Sequence, residues 1–203
     1  MHRKTLDLIF SIGGGLLAVL LLVLGLVLQN QANFAKDYVH DQLSAQKIVF
    51  TPVKGLSDEE KQADCLVDNA EKPMTTGKQA ECYANEYIGR HVKEINEGKT
   101  YSQSSGEARE LSAQAEEALK ADPEDPAAIK LDEKAKAASA KVDSLFRGES
   151  LRGLLLTSYG FSVFGERAAQ AAMVCFLAAF VLFLASIAGF VHAFSKKGEA
   201  VVE

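Results

Sequence analysis

Apolar positions along the chain gather into two uninterrupted runs, with a long polar stretch of helical spacing between them. The runs are Leu8 to Leu28 (LIFSIGGGLLAVLLLVLGLVL) and Ala171 to Val191 (AAMVCFLAAFVLFLASIAGFV). Each is 21 residues long and carries no charged side chain. At 1.5 Å per residue a helix of that length reaches about 31 Å, enough to cross a hydrocarbon core of about 30 Å. The pattern predicts an all-α membrane protein with two transmembrane helices and a mostly helical domain between them.

Small residues recur every seven positions in both runs: Ser11, Ala18 and Gly25 in the first, Ala171, Ala178 and Ala185 in the second, with Ala172, Ala179 and Ser186 beside them. In lipid, close backbone approach rather than apolar burial drives helices together, and sevenfold spacing suits left-handed packing. The stripe predicts an antiparallel hairpin of the two spans, with a seam for another subunit as the alternative. Neither run contains Asp, Glu, Lys or Arg. Pumps and ion paths rely on such groups, so transport by this chain alone is disfavoured.

Between the runs, helix is expected to continue from Asn33 to Ala45. Lys47 to Val53 (KIVFTPV) is rich in β-branched and aromatic residues and reads as one short strand stopped at Pro52. Ser57 and Glu60 form an S-x-x-E capping box, predicting a helix from about Asp58 to Asn69. Thr76 and Gln79 repeat the pattern, predicting a helix to about Asn96 with Ala80, Ala84, Tyr87, Ile88, His91 and Ile95 on one face. From Ser104 the residues Ala108, Leu111, Ala115 and Ala118 step by three and four. After Asp122-Pro123-Glu124-Asp125-Pro126, so do Ala128, Leu131, Ala135, Ala138, Val142 and Leu145. With Asp125 as N-cap and Pro126 at the first helical position, this is a helical hairpin on an alanine seam. The apolar stretch 151–164 is too short to span; it is expected at the membrane surface or against the helix leaving the first run, with Gly160 and Gly165 allowing a bend.

The predicted organisation is a tail (1–7), a transmembrane helix (8–28), a domain (29–103), an Ala/Glu/Lys-rich hairpin (104–147), a juxtamembrane segment (148–167), a second transmembrane helix (168–194) and a tail (195–203). His2, Arg3 and Lys4 precede the first run, and Lys196 and Lys197 follow the second. By the positive-inside rule both ends are cytoplasmic and 29–170 extracytoplasmic, in the cell membrane. A cleaved signal peptide is the rival for the first run. It is disfavoured by the length of the apolar core and by the absence of a small-x-small site in Gln29 to Ala35.

Composition narrows the function. The stretch 29–170 holds 18 Lys and Arg against 24 Asp and Glu, with no basic patch, which excludes nucleic acid as an expected partner. Its two cysteines, Cys65 and Cys82, would meet an oxidising environment and are expected to form a disulfide. A reactive thiol pair and two metal ligands are the alternatives.

A resemblance rests on two stretches. Residues 146–161 (FRGESLRGLLLTSYGF), and Gln79-Ala80, Tyr83-Ala84, Ile88 and His91 followed by Gly98-Lys99-Thr100-Tyr101, resemble regions of a group of actinobacterial two-span membrane proteins. The resemblance implies the same two-span architecture and carries no established activity. Some members bear an aromatic-ring-opening dioxygenase label. The residues do not support it here, because a facial-triad iron site needs two His and a carboxylate converging on one metal. The only histidines between the runs are His40 and His91, in different predicted segments.

No nucleophile elbow, phosphate loop, zinc-protease or dinucleotide motif is present. No catalytic, cofactor or metal residues are therefore assigned, and no cofactor is expected. The function expected is non-catalytic: a structural or accessory protein of the cell envelope, in the bilayer and bound to a membrane or envelope protein, with a second copy as another occupant. Candidate contact residues are Leu131, Val142, Leu151, Leu154, Leu155, Tyr159 and Phe161. The alternatives are a metal- or thiol-dependent enzyme using His40, His91 or a reversible Cys65/Cys82 pair, and a sensor acting through a separate output partner.

Overall fold

The computed structural model describes residues 3–195. Helix accounts for 84% of it. Among the described residues six α-helices follow in order: α1 (Arg3–Ala45), α2 (Asp64–Asp68), α3 (Gly77–Cys82), α4 (Gly89–Ile95), α5 (Tyr101–Ala121) and α6 (Pro126–Phe194), with a π-helical stretch, Tyr83–Ile88, joining α3 to α4. The chain divides into two compact units. One pairs α1 up to Tyr38 with α6 from Ser162; the other runs from Val39 to Phe161.

In the first unit α1 and α6 pack through small residues at seven-residue spacing. Ser11, Ala18 and Ala32 are buried on α1, and Ala172, Ala179, Ser186 and Ala193 on α6. Gly25 and Gly165 fill the missing steps. A β-carbon at Gly165 would lie 2.8 Å from Cβ of Ala35, and one at Gly25 would strike the Phe176 ring. The expected seam is therefore shifted by one residue on α6: Ala171 and Ala185 are exposed and Ala178 is half-buried. Gly165 is a contact residue, not a bend, and α6 passes through it without interruption.

Large apolar side chains cover the outer faces of this pair. Phe10, Leu16, Val174 and Val191 are each more than 60% exposed. Only 17% and 11% of the most apolar windows of α1 and α6 is buried within the chain, so these apolar stretches lie mostly at its surface. Both are long and apolar enough to cross a membrane. His2, Lys196 and Lys197, on which the charge rule drew, lie outside the described residues.

The second unit has its own core, from Val39 and Leu43 through Phe50, Leu66 and Met74 to Ala80, Ala84, Ile88 and Val92, closed by Leu145 and Leu155. The expected strand is reduced to one antiparallel bridge, Val49 to Pro73. Phe50 N–H donates to the Lys72 carbonyl at 3.0 Å and Met74 N–H to that of Ile48 at 2.8 Å. Pro73 has no N–H to continue a ladder, and Pro52 stops the other segment, so no strand forms among the described residues.

The helix expected over 58–69 is broken in two. Ser57 and Glu60 do cap each other, Ser57 N–H donating to Glu60 Oε2 at 2.7 Å and Glu60 N–H to Ser57 Oγ at 3.2 Å. They start only a 3-10 turn, Glu60–Gln62, and Ala63 turns extended before α2. The Thr76/Gln79 capping box opens α3 as expected. A π turn takes more than four residues, so spacing of four stays on one face. Ala80, Ala84, Ile88 and Val92 are therefore the buried set, and His91 is turned partly outward. Gly98, at φ +79, ends the run.

A third capping box, Thr100 with Gln103, starts α5 at Tyr101, ahead of the expected onset at Ser104. Across the turn, the Asp125 carboxylate accepts the Ala127 N–H at 2.9 Å and so caps α6. Ala108 and Ala115 on α5, and Ala128 and Ala135 on α6, are nearly fully buried. The juxtamembrane segment 148–167 is an internal part of α6, not a separate surface helix. Gly148 lets it approach α4: a β-carbon there would fall 2.5 Å from Val92 Cγ2.

Candidate functional site

Three features of the Val39–Phe161 unit bear chemistry. The first is the covalent tie between α2 and α3. Cys65 and Cys82 are joined as a disulfide, with Cα atoms 6.1 Å apart. Neither sulfur is therefore a thiolate nucleophile or a metal ligand. Beside it lies an open groove of about 450 Å³ lined by Asn69, Thr76, Lys78, Gln79, Glu81 and Asn85 among others. Gln79 Nε2 donates to Asn69 Oδ1 at 3.1 Å, and Asn69 Nδ2 to the Cys65 carbonyl at 2.8 Å, so these amides knit α2 to α3.

The second feature is an aromatic ladder. Tyr83, Tyr87 and His91 stand four apart, and the π stretch brings them onto one line. Tyr83 stacks on Tyr87 at 4.7 Å, and Tyr87 meets His91 edge-on at 4.5 Å. Phe50 closes the other end against Tyr83 at 5.2 Å. Burial, then the neighbouring Tyr87 and Glu60, push the Tyr83 phenol above its ordinary pKa. Glu60 lies under the ladder, 94% of its side chain buried. Its Oε2 holds the Ser57 N–H, while its Oε1 has no hydrogen-bond partner and faces His91 Nε2 at 3.6 Å. The sequence marked Glu60 only as a capping residue; its burial beside His91 was not anticipated.

His40, the other histidine of this unit, faces Asp41 at 3.3 Å and is largely exposed. The two histidines thus face different carboxylates. Among the described residues no three of His, Cys, Asp and Glu gather closely enough to hold a metal ion.

The third feature is the stretch of α6 from Leu145 to Phe161. Leu145, Gly148, Arg152, Leu155 and Tyr159 fall within an arc of roughly 80° and face the unit's interior. Arg152 donates to Asn85 Oδ1 at 3.3 Å, and Lys78 lies over the Tyr159 ring at 5.4 Å. Leu155 is 3% exposed and belongs to the core, so it drops out of the expected contact surface. Leu131, Val142 and Tyr159 are half-buried. Outside that arc Phe146, Leu151 and Leu154 are 57%, 40% and 67% exposed, and Phe161 is 37% exposed. Tyr101 packs its ring on Phe146 at 5.7 Å.

Compared with protein-family models, curated proteins and solved structures, the chain matches none.

Proposed function

We propose that this chain is a non-catalytic accessory protein of the cell envelope, built on the two-span architecture that the actinobacterial resemblance implies. In this reading α1 and α6 cross the cell membrane as a hairpin, both termini are cytoplasmic, and Val39–Phe161 stands outside. Two apolar helices with lipid-sized outer faces support the hairpin. The disulfide supports the oxidising side for the domain, since cytosolic thiols are kept reduced.

The observation that carries the accessory role is Leu154, two-thirds exposed on a face with Phe146 and Leu151. Ser150 and Thr157 interleave that face, a mixed pattern suited to a protein partner rather than to acyl chains. The occupant in this reading is another membrane or envelope protein.

The test is gentle solubilisation of native membranes followed by measurement of assembly mass and composition. The wild type is expected in one reproducible complex with a second polypeptide, and Leu154→Glu is expected to release it with helix content unchanged. A lone monomer, an assembly of identical chains, or a complex indifferent to L154E overturns the accessory role.

A further inference from the structure

We propose that Glu60 and His91 form a proton-operated latch: the protonated imidazole holds the buried carboxylate and pins the turn 57–63 onto α4, and deprotonation frees that turn. The latch stands apart from the accessory role and does not depend on it.

The separation makes the contact a matter of charge. His91 Nε2 lies 3.6 Å from Glu60 Oε1, beyond hydrogen-bond reach. A neutral ring, in either tautomer, is therefore no substitute for the charged one. Histidine is the side chain whose charge changes between pH 5 and 8. On the acid side of that range an imidazolium faces the carboxylate. As pH rises the ring loses its proton, and the stabilisation that the pair supplies is lost with it.

Burial gives that loss its consequence. The Glu60 side chain is 6% exposed and that of His91 is 50% exposed. The carboxylate has almost no water to turn to, and its Oε1 accepts no hydrogen bond. The imidazole, in contrast, exchanges its proton with solvent while the unit stays folded. Removing one partner of such a pair leaves the other as an uncompensated buried charge, which is strongly destabilising. The second oxygen, Oε2, accepts the Ser57 N–H at 2.7 Å, so displacement of this carboxylate also unties the start of the turn.

The surrounding groups leave His91 as the one that switches. The turn adds Glu59, the π stretch supplies Tyr83, Tyr87 and Glu86, and α4 supplies Arg90. Arg90 and Glu86 pair with each other at 2.6 Å. Phenols carry no charge between pH 5 and 8, and Glu59 adds to the negative side.

Hydrogen–deuterium exchange of the full-length protein in detergent micelles reads the latch at the amides of 57–63. It is measured at pH 5.5 and pH 8 and corrected for the intrinsic exchange rates. Neither His40 with Asp41 nor His192 with Asp7 lies in this segment. Wild-type protection is expected to fall at least about five-fold at the higher pH. His91→Arg keeps a positive charge at both pH values and is expected to hold the acid-side protection throughout. His91→Ala is expected to show the low level at both, and His40→Ala to respond like the wild type. Position 91 is half exposed, so both replacements there keep the fold. Equal wild-type protection at the two pH values, or a wild-type response in H91A or H91R, overturns the latch.

Discussion

Gly25 lies against Phe176 so closely that a β-carbon built on it would fall 2.6 Å from Cε1 of the ring. Phe176 is a large side chain on a helix whose buried seam in this pair is otherwise made of small residues, and glycine lets α1 pass it. In the helix interior alanine is otherwise favoured over glycine by about 1 kcal/mol, whereas overpacking a close contact costs about 1–3 kcal/mol. Overpacking is the larger effect here. Gly25→Ala is therefore expected to destabilise the α1–α6 pair and Gly13→Ala, which meets nothing within 4 Å, to leave it unchanged or slightly firmer. Unfolding of the full-length protein by titration with sodium dodecyl sulfate checks the pair; equal midpoints for the two variants would refute this account of the seam.

The Cys65–Cys82 bridge closes a loop over a sequence separation of 17. For a loop of that size the chain-entropy contribution is about 3 kcal/mol. α2 and α3 are only five and six residues long, too short to hold themselves in place. Replacing both cysteines by alanine is expected to lower the unfolding temperature of the Val39–Phe161 unit by several degrees. Melting followed by circular dichroism, with and without reductant, checks it. An unchanged melting temperature in the double variant would mean that packing around Leu66 and Ala80 suffices alone.

The Tyr83 phenol is held above its ordinary pKa of about 10, first by burial and then by Tyr87 and Glu60. A group raised on folding contributes fully below the unfolded pKa. Above about pH 10 the unfolded phenol loses its proton first, and stability falls until the folded phenol also ionises. Tyr83→Phe removes that slope. Chemical denaturation at pH 9, 10 and 11 should therefore show the wild type losing stability faster than Y83F. Parallel pH dependences would show that the buried hydroxyl is not what titrates.

Much of the fold was legible because its signals are local. Uncharged runs, the Thr76/Gln79 box and the Asp-Pro turn at 125–126 act within a few residues, and each led to a helix start or an apolar helix, whereas the Ser57/Glu60 box opened only a 3-10 turn. What was missed depends on context. Ala171 and Ala172 both repeat at seven, and only the partner helix decides which register is buried. Leu155 reads as surplus apolar surface until α6 passes the core at Gly148 and Val92. The π stretch leaves no residue signature, yet it lines up Tyr83, Tyr87 and His91 and turns His91 outward. The box at Thr100 and Gln103 was readable by the same rule that found Thr76 and Gln79. Glu60 carries a capping pattern, and nothing local tells that the same carboxylate is buried beneath His91.

The proposed topology underlies the reading of the disulfide and of the exposed α6 face. One cysteine placed at Ser139, exposed on α6, reports on it directly through labelling of intact cells with a membrane-impermeant maleimide. The account predicts labelling of S139C before lysis, and none of a cysteine placed at Ser195 until the membrane is opened. Labelling of Ser195→Cys in intact cells, with Ser139→Cys protected, would contradict it.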